Sequence, residues 1–215
     1  MSEGLIEGAW SGRRAFVLGG GPSLSSVDPY ALRNELTLGL NMAFLHDPTA
    51  TLVYDLRLLE RINETPAWKA YRGHKLWLNS ELAGIGDGSA LFEGVRILRP
   101  ASINGAYPRW PRTLSDGLYR GNNAGTAGIC LADVLGASPI YLLGFDMRAG
   151  AGRAPNWHEM YPEEWRASDR VLRTFRDDLA RVKGFVRGRV VNLTPDSALD
   201  AFDRSTLADV LGAGP

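Results

Sequence analysis

Apolar residues come in short runs along this chain, separated by glycine, proline and polar clusters. Residues 14–19 (Arg-Ala-Phe-Val-Leu-Gly) are too short for a core helix and close on glycine, which predicts a buried strand. Residues 36–41, 51–55, 75–79, 95–98, 139–144 and 189–193 repeat the pattern and predict further strands. Helical spacing appears over 56–62, over 127–135, and over 163–186, where Trp165, Leu172, Phe175, Leu179 and Val182 make the expected inner face. Asp28 followed by Pro29 predicts a capped helix start, and Thr194 followed by Pro195 predicts another, running to 211. The segments 99–119 and 147–161 are rich in proline and glycine and are expected to be active-site loops.

Strands that alternate with helices, several of them apolar on both faces, belong to a parallel sheet covered on both sides. The expected fold is α/β, a three-layer sandwich with a mostly parallel sheet, in one domain over 1–215. In such sheets ligands sit beyond the carboxyl ends of the strands. The strand ends here carry a Gly-Gly-Gly-Pro-Ser turn, Asn41, Asp55, Asn79, Asp146 and Asn192.

Composition narrows the function. The 215 residues are 45% hydrophobic and 22% charged, which excludes disorder over most of the length. Lys plus Arg (24) balances Asp plus Glu (24), so no chain-wide electrostatic grip on nucleic acid is expected. The lone cysteine, Cys130, excludes an internal disulfide framework and lies in an apolar helix, where it reads as a small buried hydrophobe. No apolar run reaches membrane-spanning length, and the first residues, with Glu3 and Glu7, do not resemble a signal peptide. The expectation is a cytoplasmic protein without a membrane partner, and a homo-oligomer is compatible with it.

Three constellations carry candidate chemistry. Gly19, Gly20, Gly21, Pro22 and Ser23 follow a strand directly. Their backbone can turn sharply and approach a ligand, and their N–H groups suit a phosphate; the alternative is a tight strand-to-helix turn. The spacing matches neither the dinucleotide fingerprint nor a P-loop. Asn123, Ala124, Gly125 and Thr126 open the 127–135 helix and offer a second phosphate-binding helix start or an ordinary cap. Asn156-Trp-His-Glu-Met-Tyr161 follows Asp146, and His158 there is placed to take a proton from a hydroxyl, or else packs. Asp55 and Asp146 are candidates to share a magnesium ion, or are helix caps. His46 and His74 read as structural.

The order of these motifs, from the 19–23 turn through Asn41, Asn123, Ile140-Tyr-Leu-Leu-Gly-Phe-Asp146, His158 and Asn192-Leu-Thr-Pro, resembles bacterial lipooligosaccharide sialyltransferases. It also resembles the wider set of flagellin-modifying glycosyltransferases, archaeal pterin pyrophosphokinases and phage proteins, the last being nearest in length and wording. The resemblance spans 14–202. It implies a Rossmann-like fold and a nucleotide-sugar donor bound without metal. It also implies donor contacts at Gly19–Ser23, Asn41 and Asn123–Thr126, with His158 as general base and Tyr161 beside the leaving phosphate. Relative to those sialyltransferases the sequence is shorter and is expected to lack their C-terminal membrane-associating part, so the resemblance does not imply a sialic acid donor.

The expected function is glycosyl transfer from a nucleotide sugar to a hydroxyl, with no cofactor required. The alternatives are an ATP- and magnesium-dependent diphosphotransferase using Asp55 and Asp146, and a non-catalytic nucleotide-binding module. Arg166, Arg170, Arg173 and Arg181 fall near one helical face in a net basic stretch. That face is either a solvated surface or a grip, centred on Arg170 and Arg173, for a polyanionic acceptor such as DNA with a hydroxylated base. A glycan or small molecule is the other acceptor class.

Overall fold

The computed structural model describes residues 5–79, 92–101, 110–148 and 156–212. Its sheet contains β1 (Ala15–Leu18), β2 (Leu36–Leu40), β3 (Ala50–Val53), β4 (His74–Leu78), β5 (Val95–Leu98), β6 (Ile140–Leu143), β7 (Val190–Asn192) and β8 (Asp203–Arg204). The spatial order is β5-β4-β3-β2-β1-β6-β7-β8, and every pairing is parallel.

Side-chain alternation builds the layers. In β1, Ala15 and Val17 point to one face, and Phe16 and Leu18 to the other. The first face joins Leu38, Leu52, Leu76 and Leu142 to the helix α3 (Ala124–Val134) and to Leu179 and Val182 of α4 (Asp169–Val182). The opposite face packs Val53 and Trp77 on α1 (Leu56–Asn63) and α2 (Pro66–Ala70), and Phe16 and Leu143 on Leu24, Leu32 and Val210. The fold is therefore the expected Rossmann-like three-layer α/β sandwich, with a wholly parallel sheet.

The chain steps outward from β1 to β5, then returns through α3 to start β6 on the other side of β1. The crossovers change face at that point, and a crevice opens between the carboxyl ends of β1 and β6.

Several local expectations need correction. The run 163–186 is not one helix: a 3-10 turn, Glu163–Trp165, ends at Arg166, whose backbone is extended, and α4 restarts behind Ser168. The Ser168 hydroxyl accepts from Val171 N at 3.4 Å, so the serine serves as a cap where helix continuity was expected. Thr194 caps nothing. Its hydroxyl accepts from Phe145 N at 2.9 Å, and residues 195–206 form turns and β8 before the short α5 (Leu207–Gly212). Asp28 caps as expected, accepting from Tyr30 N, but over a 3-10 turn, Pro29–Leu32. Cys130 is buried on α3 and burial raises its thiol to about 12, so it packs and does not react.

Candidate active site

The crevice at the β1/β6 switch holds a cavity of about 470 Å³, within the usual size range of small-ligand sites. Its walls include Gly19, Gly20, Gly21, Pro22, Asn41, Asp55, Asn123, Ala124, Gly125, Asp146, His158 and Tyr161. Twelve of the expected site positions, scattered through the sequence, thus share one cavity. Ser23, Thr126, Arg170 and Arg173 do not line it. Of the expected loop 99–119, residues 102–109 lie outside the described set; the remainder lines no part of the cavity and buries Trp110 and Leu118 in the core. In the second loop, 149–155 lie outside the described residues.

Each glycine of the turn has its own reason. A Cβ on Gly19 would lie 2.6 Å from the Gly144 carbonyl oxygen, and one on Gly21 would fall inside the Asp146 carboxylate. Both are required by the close approach of β1 and β6. A Cβ on Gly20 meets only Asn156 Nδ2, at 3.5 Å, so space remains beside this exposed glycine. Asp146 braces the turn, accepting from Ser23 N at 3.2 Å and from Ser23 Oγ at 2.7 Å. Ser23 therefore supports the site from behind.

Asn41 ends β2 in the left-handed region (φ 54°), a conformation asparagine tolerates better than most residues. Its Oδ1 accepts from Tyr54 N at 3.0 Å, tying the ends of β2 and β3 together. Burial raises the Tyr161 pKa, with the nearby Asp55 charge adding to it and the Asn41 side chain and Met42 N–H opposing it. The phenol therefore stays protonated, a donor and not a base.

Asp55 lies beyond β3 as the cap of α1, accepting from Arg57 N at 2.8 Å and pairing with the Arg57 guanidinium at 3.1 Å. Burial pushes its carboxyl up, but Arg57 outweighs this and holds it below the usual range. Asn123 caps α3, its Oδ1 accepting from Thr126 N at 2.9 Å. Beneath it the buried Asp178 of α4 accepts from Asn122 N (2.9 Å), Asn123 Nδ2 (3.3 Å) and Thr126 Oγ1 (2.8 Å). Thr126 is thus an internal brace. The positive end of α3 already faces a carboxylate of the chain itself.

The segment carrying His158 is pinned to the turn: Trp157 N donates to the Gly20 carbonyl at 3.3 Å. His158 lies edge-on to both Trp157 and Tyr161, and Trp157 in turn meets His46. Burial lowers the His158 pKa to about 4, so the ring is neutral near pH 7. Its Nδ1 accepts from Met160 N at 3.2 Å, which assigns the proton to Nε2. Nε2 and Trp157 Nε1 are both buried and meet no partner among the described residues. Proton abstraction by His158 therefore requires the Met160 contact to open.

Sequence reasoning missed Arg57, Arg148, Trp157, Trp165 and the apolar start of α4, Val171, Leu172 and Phe175, all on the cavity wall. Trp165, Leu172 and Phe175 were legible as an inner face, but that face overhangs the cavity there. Arg57 had a signal in its place two residues after a strand-end acid.

No family model and no curated protein matches the sequence. Solved structures do. The MAf glycosyltransferase from Magnetospirillum magneticum AMB-1 aligns with a TM-score of 0.56 and 16% identity over 98% of this chain. This chain spans only 36% of that protein's length. The sialyltransferase CST-II in complex with CMP aligns at 0.52 with 17% identity, over 94% of this chain and 89% of that one. CST-II with a trisaccharide acceptor and CMP gives 0.51 at 17% identity and the same coverage. At these identities the likeness establishes a shared fold.

Proposed function

We propose that this chain is a glycosyltransferase that moves a sugar from a nucleotide-sugar donor to a hydroxyl acceptor. The observation that carries the reading is the switch-point cavity. There a glycine turn with open space at Gly20 meets Asn41, Asp146 and a His158 segment hydrogen-bonded to that same turn. The two enzymes of like fold are named as glycosyltransferases, and CST-II binds CMP, which supports a nucleotide-sugar donor here.

In this reading the 19–22 backbone and Asn41 hold the donor, and Tyr161 donates toward the leaving phosphate. His158 receives the acceptor proton once its Nδ1 is released from Met160. The magnesium-dependent alternative is supported less well, because Asp55 is engaged by Arg57 and Asp146 by Ser23. Arg170 and Arg173 are exposed and away from the cavity wall, so we assign the acceptor to a glycan or hydroxyl-bearing small molecule.

The test is transfer from CMP-, UDP- and GDP-sugars to a mixed glycan and small-molecule panel, with hydroxymethylated duplex DNA alongside, with and without magnesium. Metal-independent release of a nucleotide by the wild type, lost in Gly20→Val, is the expected result. Failure to consume any donor, with no nucleotide bound, overturns the proposal.

A further inference from the structure

Among the described residues three arginines line the cavity, and their surroundings differ. Arg57 is exposed and engaged by Asp55, with its guanidinium 5.2 Å from the Trp165 ring centre. Arg166 is exposed at the rim. Arg148 is half-buried, and its one described partner is the exposed Asp196 at 3.7 Å, beyond hydrogen-bond distance. Its guanidinium carries five donors that can grip an oxyanion with two parallel bonds.

The backbone that presents Arg148 is unusually fixed. Phe145 N donates to Thr194 Oγ1 at 2.9 Å, Ser197 Oγ donates to the Phe145 carbonyl at 2.5 Å, and Ala198 N donates to the Asp146 carbonyl at 2.9 Å. The turn after β7 thus rivets the end of β6. Immediately beyond, Met147 adopts φ 52°, a left-handed conformation that is unfavourable for an ordinary side chain. No Gly, Asn or Asp eases it. Strain held in place by surrounding bonds on a cavity wall is a recognised mark of a functional position. Here it sets the direction of the chain one residue before Arg148.

The neighbouring carboxylates do not claim this cation. Asp146 spends its oxygens on Ser23 and Asp55 on Arg57, and the exposed Glu164 on the same wall forms no ion pair with Arg148. The Asp196 contact is an exposed pair of the kind that contributes little to stability, so an incoming oxyanion can displace it.

We propose that Arg148 is the group that takes the charge of the departing nucleotide phosphate. The assignment rests on the glycosyl-transfer reading above. When the bond between the anomeric carbon and the phosphate oxygen breaks, its electron pair stays on that oxygen. The acceptor oxygen bonds the anomeric carbon, and its proton passes to His158. Arg148 forms no covalent bond; it stabilises the negative charge that grows on the phosphate.

The test compares a nucleoside with its 5′-monophosphate, for cytidine, uridine, guanosine and adenosine, by calorimetric titration. The wild type should bind at least one monophosphate more tightly than its nucleoside. Arg148→Gln should shrink that preference by about 10- to 100-fold while leaving nucleoside affinity unchanged. Arg148→Lys, which keeps the charge but not the fork, should restore part of it. An unchanged melting temperature in both variants separates this from a folding defect. A preference that survives in Arg148→Gln overturns the assignment of Arg148 alone. A wild type that binds none of these ligands overturns both the assignment and the glycosyl-transfer reading.

Discussion

The two small-residue turns, 19–23 after β1 and 122–126 before α3, look alike in the sequence and differ in what fills them. Each is braced by one carboxylate. Asp146 reaches across from the end of β6 to Ser23, which leaves Gly20 with space beside it. Asp178 sits underneath the α3 start, and its one oxygen collects Asn122 N, Asn123 Nδ2 and Thr126 Oγ1. Gly125 is pinched as well: a Cβ there would lie 2.7 Å from the Phe145 ring. The first turn leaves open space at Gly20, which in the proposed reading admits a ligand backbone-first. The second is built to hold α3 against α4, and presents only its outer edge to the cavity. A glycine at a helix start thus signals close approach, and the approaching group can be a ligand or the protein itself.

The largest effect should come from emptying the second turn. Asp178→Ala takes the acceptor from the buried Thr126 hydroxyl and the part-buried Asn122 N–H, and leaves Asn123 Nδ2 with only Asn122 Oδ1 and Thr126 Oγ1, at a cost of about 3–5 kcal/mol. Thermal unfolding should show a marked fall in melting temperature. Loss of less than about 1 kcal/mol would mean that water replaces the carboxylate and that the turn is more open than its packing implies.

Within the first turn, neighbouring glycines should behave differently. Gly21→Val drives a branched side chain into the Asp146 carboxylate and should cost about 2–4 kcal/mol in denaturant unfolding. Gly20→Val meets open space, so its stability should stay within about 0.5 kcal/mol of wild type while nucleotide affinity collapses. From the sequence alone, valine at either position is expected to spare the fold; the proximity of Gly144 and Asp146 removes Gly21 from that expectation. If both variants unfold alike, Gly20 is structural and the contrast between the turns is lost.

How much of this was legible follows from which contacts are local. The strands were readable because both-face burial leaves uninterrupted apolar runs such as Ile140-Tyr-Leu-Leu. Asn123, Asp28 and the glycine turn were readable because capping and sharp turning depend on near neighbours. The roles of Asp178, Thr194 and Ser197 were not, since each bonds residues roughly 50 positions away in sequence. The break at Ser168 was missed because a favourable apolar period on both sides hid a serine cap. Arg148 was visible only as one of many basic residues, until the fold placed it on the cavity wall.

The His158 segment belongs to the first turn through the Trp157 N–Gly20 O bond, so its chemistry should follow that turn. His158→Ala should lower the transfer rate about 100-fold with donor affinity nearly intact. A free histidine would make the rate rise with pH near 6.5; burial moves that inflection to about 4, so the wild-type rate should be flat above it as far as this ring is concerned. Normal turnover by His158→Ala would move the base elsewhere, with Asp146 or Glu159 next.

The smallest effect is on stability, and it has a definite sign. His158 titrates at 6.5 when unfolded and at about 4 when folded. Between those values the unfolded chain holds a proton that the folded chain does not, so protonation favours unfolding. The stabilising contribution is complete above pH 6.5 and is lost as the pH falls toward 4. Partial exposure of the ring limits it to roughly 1 kcal/mol. His46 is lowered by burial too and acts in the same direction, so a residual slope should persist without His158. His158→Phe keeps a ring between Trp157 and Tyr161 but cannot titrate. Urea unfolding at pH 7 and pH 5 should therefore show a smaller loss for His158→Phe than for wild type. Equal losses would place the His158 ring in water, and the segment pinned to Gly20 would then be open where the turn at α3 is closed.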